Sequence, residues 1–277
     1  NIFQRAFVKN LGEVWTDTPW PELFDDLPNV HFCEGRTLLR TQAKNISKNQ
    51  GKRKYEKFPG GHQLSIKYGT KNIIQGMQDA FGVEPGEWDL PDFGPPPVEG
   101  RYAVIRPATV RSEWIAESRN PDPKYIYEAA EELIERGITV VSVADLEEGK
   151  EWIVGKEPPA DIQFNKGELD IKQLMALTIH ADIVVGGVGW IVPACIAAKT
   201  PAWIICGGNG GYNHPSHITD PRMDLSRIEF AIPDNMCMCT QKVHNCDKKI
   251  TGHRDKFRAY LAARGIGRIP PSRANEL

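Results

Sequence analysis

Three groups of side chains in this 277-residue chain have types and spacings suited to chemistry. The first is a pair of carboxylates. Glu13 follows Gly12, and Asp17 lies four residues on. If residues 3–9 form a strand that turns at 10–12, Glu13 sits at the strand's carboxyl edge, where it could act as general base on an acceptor hydroxyl. Asp17, one helical turn further, is the second candidate, and either residue also suits the acid favoured at a helix start. The second group combines cations with glycines. Arg106, Arg111 and Arg119 carry guanidinium groups that bind phosphate oxygens bidentately, and each equally suits a surface ion pair. Gly186-Gly187-Val188-Gly189-Trp190 lies between a predicted strand and a predicted helix, so its amides could approach a phosphate at the helix start. Such a turn also serves close packing, and its spacing matches neither the dinucleotide nor the Walker pattern. In the loop over 207–215, Asn209, Tyr212 and His214 could hold a base or a sugar.

A third cluster is metal-like. Cys237, Cys239, His244 and Cys246 read C-x-C-x4-H-x-C, four soft ligands that could hold a structural zinc, although the spacing is outside the common zinc patterns. Six cysteines in a chain of this length do not suggest a disulfide scaffold and point to a reducing, cytoplasmic setting. Between residues 36 and 57, Arg36, Arg40, Lys44, Lys48, Lys52, Arg53, Lys54 and Lys57 face the single acid Glu56. This run reads as a solvated loop or as a landing strip for an anionic acceptor, with phosphorylated lipid and nucleic acid both fitting.

Positioning these residues requires alternating strands and helices. Residues 30–33 read as a second strand, a short helix is expected near Pro19, and residues 71–81 carry apolar positions at helical spacing. The Pro- and Gly-rich stretch over 85–100 reads as a linker. Beyond it, strands are expected at 102–106, 138–143, 183–185 and 202–206, with helices at 124–136, 170–180 and 191–199. This order implies a parallel sheet with helices on its faces, and ligands then bind beyond the carboxyl ends of the strands. Two domains are expected: 1–97, a short acceptor-binding domain, and 98–277, a donor-binding domain whose C-terminal helix returns to the first. Hydrophobic residues at 40% and charged residues at 25% suit a folded globular chain. No apolar run is long enough to span a bilayer, and the first residues carry no signal-peptide pattern.

Several segments resemble the ADP-heptose–lipopolysaccharide heptosyltransferase-like glycosyltransferases. Leu11-Gly12-Glu13-Val14 followed by Thr18-Pro19 resembles that family's Leu-Gly-Asp-Val and Thr-Pro entry. Residues 170–177, 181–189, 197–201 and Gly207-Gly208 resemble its donor-site elements, and the stretch from Cys246 to Thr251 its late helix start. The resemblance implies an α/β fold of the GT-B type, two Rossmann-like domains with parallel sheets facing a central cleft. It implies an inverting, metal-independent transfer of sugar from a nucleotide-sugar donor to an envelope glycan or a modified nucleic-acid base. Glu13 would be the base, and the glycine turn with the arginines would stabilise the departing diphosphate. The chain departs from that pattern in having Glu13 for Asp, Gly187-Val188-Gly189-Trp190 at the donor turn, and Pro193 where a His is expected. A degenerate GT-B protein that binds a sugar nucleotide or glycan without turnover is the alternative.

Overall fold

The computed structural model describes residues 1–67 and 72–267. Its first element corrects the expectation of a strand over 3–9: Ile2–Val8 is a helix, α1. Ile2 with Ala6 and Phe3 with Phe7 are four-residue pairs, and all four side chains are buried. Arg5, on the same helix, is buried and binds both oxygens of Asp26 at 2.6 Å, Asp89 at 3.1 Å and the Leu23 carbonyl at 2.9 Å. A buried guanidinium is tolerated only with partners of this kind. The strand β1 (Val14–Thr16) therefore starts after Glu13, and the short helix expected near Pro19 is a 3-10 turn at Pro21–Phe24.

β1 pairs in parallel with β2 (Val30–Phe32). Helix α2 (Arg40–Asn49) follows, and its buried Asn45 and Asn49 amides both donate to the buried Glu22 carboxylate. Helix α3 (Ile73–Phe81) is capped by the Asn72 side chain and ends on Gly82 at φ 69°. Lys71, included in the expected helix, lies outside the described residues. The Pro-rich stretch has no regular element but is not loose: Trp88 packs edge-on against Phe3 and Phe7.

The remaining elements form the layered unit that the periodicity implies. They are β3 (Tyr102–Arg106), β4 (Thr109–Arg111), α4 (Pro123–Glu135), β5 (Thr139–Val143), β6 (Glu151–Ile153), β7 (Ile162–Phe164) and α5 (Ile171–Ile179). Then come β8 (Ile183–Gly187), α6 (Ile191–Ala198), β9 (Ala202–Ile205), α7 (Gly210–Asn213), α8 (Pro215–Ile218), β10 (Ile228–Ala231) and α9 (His253–Ala263). Local chemistry sets the helix ends. Asp122 caps α4 just before Pro123, and Asp170 with Gln173 forms a reciprocal capping box on α5.

Six strands make one parallel sheet in the order β10-β9-β8-β3-β5-β7. Alternate residues bury on opposite faces. Tyr102, Val104, Val141 and Val184 meet α1, α3, α5 and α6 on one side. Ala103, Ile105, Val140 and Val185 meet α4 and α9 on the other. The C-terminal helix thus packs on α4, with Arg254 and Arg258 paired to Glu132, rather than returning to residues 1–97 as expected. Phe3 and Phe7 share a core with the sheet, so the early residues are seated on the α5–α6 face.

The sheet changes direction between β3 and β8. From β3 the chain moves to β5 and β7, then returns across to β8 and on to β9. In open α/β sheets that switch point opens the crevice in which ligands bind.

Candidate active site

Register brings the arginine loop and the glycine turn together at the switch point. Arg106, the last residue of β3, stands beside Gly186 of β8. Above them lies a short antiparallel ribbon, β4 with β6, in which Arg111 is opposite Glu151. Neither three-residue strand has enough alternation to be read from sequence.

Glu151 is the hub of the site, and the sequence reading missed it. Its side chain is wholly shielded from solvent and is held by Arg40 at 2.7 Å, Arg111 at 2.9 Å and Arg106 at 3.4 Å. Thr109 Oγ1 donates a further bond of 2.9 Å. Arg119 lies near Arg106 and Arg111, but its side chain makes no hydrogen bond or ion pair among the described residues, and its buried Nε is unsatisfied. Burial and then the charges of Arg106 and Arg111 pull its pKa down. Burial likewise lowers that of Arg106, against the pull of Glu151. Arg106 and Arg111 share one carboxylate and Arg119 has none, so this corner carries unbalanced positive charge. An anion with several oxygens relieves such an arrangement.

A cavity of about 370 Å³ opens beside Arg106 and Arg111, with Arg119 outside its lining, within the range of small-molecule sites. Arg106 and Arg111 line one wall with Trp190, while Trp20, Lys44 and Lys48 line the other from the early part of the chain. The cleft therefore lies between residues 1–50 and the carboxyl ends of β3, β5 and β7. Its carboxylates are already engaged. Asp145 is bound by Lys44 at 3.0 Å and Arg40 at 3.2 Å. Burial resists its ionisation, but those partners outweigh burial and hold its pKa below the ordinary value. Asp170 caps α5.

The remaining expected site residues occupy varied places. Gly186 and Gly187 keep ordinary backbone angles and serve close packing: a Cβ on Gly186 would meet Ile191 at 3.0 Å, and one on Gly187 would meet Pro121 at 2.8 Å. Gly189 is open, and Val188 packs against the core below. Asn209 is buried at φ 56°, and its side chain is used up on the Gln241 carbonyl and on Asn213. His214 accepts from the Ser216 amide as the cap of α8, and Tyr212 is exposed. None of these three lines the cavity. The four metal-like side chains do converge, with all their ligand atoms within 4.8 Å of one another.

Glu13 is not at a carboxyl edge, because α1 replaces the expected strand. It precedes β1, binds His31 Nε2 at 2.5 Å and is exposed; Glu56 holds the other ring nitrogen at 3.1 Å. Asp17 follows β1 at its carboxyl end, separated from Glu13 by that strand rather than by a helical turn. It has no side-chain partner among the described residues. Its neighbour Thr18 donates to Asn1, which lines the cavity. The Glu13 hydrogen bond is the main cause raising the His31 pKa above 6.5. Because the folded-state pKa is raised, the stabilisation is full below the unfolded value and is lost as pH rises through the folded one. Proton NMR of the imidazole should therefore give a midpoint above 6.5, and Glu13→Gln should lower it. A midpoint at or below the ordinary value in the unmodified protein would contradict this pairing.

The basic run is neutralised in part. Arg40 and Lys44 meet Asp145 and Glu147, and Arg53 pairs with Asp25. Arg36, Lys48, Lys52, Lys54 and Lys57 form no ion pair among the described residues. No helix among those residues is long and apolar enough to cross a membrane.

No family model matches the chain, and a search of curated proteins found no match. Solved structures do match. A glycosyl transferase family 9 protein from Veillonella parvula superposes with a TM-score of 0.53 at 10% identity, over 95% of this chain and 93% of its own. The iron-containing dodecameric glycosyltransferase TibC from enterotoxigenic E. coli gives 0.50 at 14% identity, over 89% of this chain and 65% of its own. TibC in complex with ADP-D-beta-D-heptose gives 0.48 at 16% identity, over 70% and 53%. The chain spans about half to two thirds of TibC's length. At these identities the likeness concerns architecture: the chain has the α/β fold of heptosyltransferase-like, GT-B glycosyltransferases.

Proposed function

We propose that the chain binds a nucleoside diphosphate sugar in the cleft and transfers the sugar to a hydroxyl of an anionic acceptor. What carries this reading is the group of Arg106, Arg111 and Arg119 at the sheet's switch point, with one shared carboxylate among them. The shared architecture with glycosyltransferases supports it. Residues 98–277 take the donor side and residues 1–97 the acceptor side.

The reaction is a single inverting displacement. An acceptor oxygen attacks the sugar C1 as the bond to the diphosphate breaks, and the arginines stabilise the charge that develops on the departing diphosphate. Guanidinium groups supply that charge, so no divalent ion is required in the donor site. Of the two early carboxylates, Asp17 is the stronger candidate for the base, because Glu13 is already held by His31. The unpaired Lys48, Lys52 and Lys54 favour an acceptor with negative charge.

The test is a thermal-shift panel followed by transfer assays. A ligand that binds only the folded chain raises its melting temperature. A nucleoside diphosphate sugar should do so and the free sugar should not. Asp17→Asn should then slow transfer by about 100-fold or more while leaving donor binding intact. If no nucleoside diphosphate sugar shifts the melting temperature, the proposal fails. A second reading, sugar-nucleotide binding without turnover, is favoured by one observation: neither Asp17 nor Glu13 lines the cavity, and the carboxylates that do are engaged. Donor binding with no transfer or hydrolysis, unchanged by Asp17→Asn, would select it.

A further inference from the structure

Between β10 and α9 the chain runs for about twenty residues without helix or strand. Such a stretch in a compact fold needs something other than a backbone ladder to hold it. Within it, Cys237, Cys239, His244 and Cys246 aim their ligand atoms at one point. The Cys237 sulfur is 3.5 Å from His244 Nδ1, His244 Nδ1 is 3.3 Å from the Cys246 sulfur, and the Cys239 and Cys246 sulfurs are 3.6 Å apart. Tetrahedral bonds of about 2.3 Å to sulfur and about 2.0 Å to nitrogen set ligand atoms about 3.5 Å apart. These three separations are of that size, and all four ligand atoms lie within 4.8 Å of one another.

The same stretch is fastened to the loop that follows β9 and to the segment that carries Arg119. The Gly210 amide donates to the Cys237 carbonyl at 2.8 Å, and the Gly211 amide to the Cys239 carbonyl at 3.1 Å. Gly208 lies against Cys246 so closely that a Cβ there would fall 2.2 Å from the sulfur. The Ser118 hydroxyl donates to the carbonyls of Gln241 and Lys242, and the Asn209 amide also reaches Gln241. This explains why Asn209 is spent inside the protein.

We propose that these four side chains hold one tetrahedral metal ion, zinc or ferrous iron, and that the ion clips residues 237–246 over residues 207–211 and 118. The ion is structural. All four positions are taken by protein ligands, which leaves no open site for a substrate. Its effect on function is indirect, through the setting of the loop after β9 and of Arg119 next to Ser118.

The test begins with freshly purified full chain. Mass-spectrometric metal analysis should find about one zinc or iron per chain, and its identity distinguishes the two sources. Cobalt(II) exchanged into the unmodified protein should show the intense visible bands of a tetrahedral thiolate site. Removal by a chelator should speed hydrogen exchange over residues 207–214 and 116–120 by about tenfold or more, with little change in β3, β5 and β8. Re-addition of the metal should reverse it. Cys239→Ser should lower metal content. Should that variant fail to fold, chelation and cobalt exchange of the unmodified chain decide the matter. Three results overturn the proposal. One is a metal content near zero that zinc or ferrous iron fails to restore. Another is a Cys239–Cys246 disulfide in place of metal. The third is unchanged exchange over 207–214 once the ion is gone.

Discussion

Replacing Glu151 by Gln lowers the stability of the fold by about 3–5 kcal/mol, the loss expected when one partner of a shielded charge cluster is removed. Glu151 is the common counter-charge of Arg40, Arg106 and Arg111, and its own side chain has no contact with solvent. Gln preserves shape and can still accept from Thr109, but it removes the negative charge among three guanidinium groups. Arg40 stands on α2 and Glu151 on β6, so the change also loosens the contact between the early helices and the sheet unit. The urea midpoint should fall with little change in the denaturant slope. Millimolar pyrophosphate should restore part of the loss, and should stabilise the variant more than the unmodified chain, because an added anion takes the place of the missing charge. A loss below about 1 kcal/mol would mean that solvent reaches this cluster and screens it.

Arg119→Met separates binding from stability. The Arg119 side chain has no partner among the described residues, and its Nε is buried without a hydrogen bond. Keeping an uncompensated guanidinium beside Arg106 and Arg111 costs the folded state free energy. An apolar residue of similar length should leave stability unchanged or raise it. If the corner binds a diphosphate, the same substitution removes a charge-assisted hydrogen bond of about 1.5–3 kcal/mol, and affinity for a nucleoside diphosphate should fall by about 10- to 100-fold. Titration calorimetry gives the affinity, and urea denaturation gives the stability. A residue with a structural role would show the opposite pattern, with stability lost and affinity kept. That outcome would place the anion elsewhere.

The sequence by itself determined the sheet unit. Short apolar runs through 102–106 and 138–143 marked strands buried on both faces, and helical spacing through 124–136 assigned the side that packs. Gly137 suited the end of α4, and β-branched runs marked the buried strands. These signals act between residues a few positions apart, so a linear reading captures them. The same reading failed at α1, which was read as a strand; what decides for a helix is the core that Phe3 and Phe7 share with α3 and α6, and Ile2 and Val8 with α6.

The state of the charges was decided by tertiary structure alone. Arg40 and Lys44 read as free cations in a basic run, yet they are neutralised by acids about a hundred residues away. Glu151 sits in an ordinary acidic stretch, and no local spacing marks it as the partner of three arginines drawn from two other segments. Arg106, Arg111 and Arg119 could be named in advance as phosphate-binding types, but which of them is left uncompensated depends on where β6 lays Glu151. Periodicity is a property of neighbours along the chain. Charge balance is a property of neighbours in space, set only when β4 and β6 pair and α2 docks over the cleft.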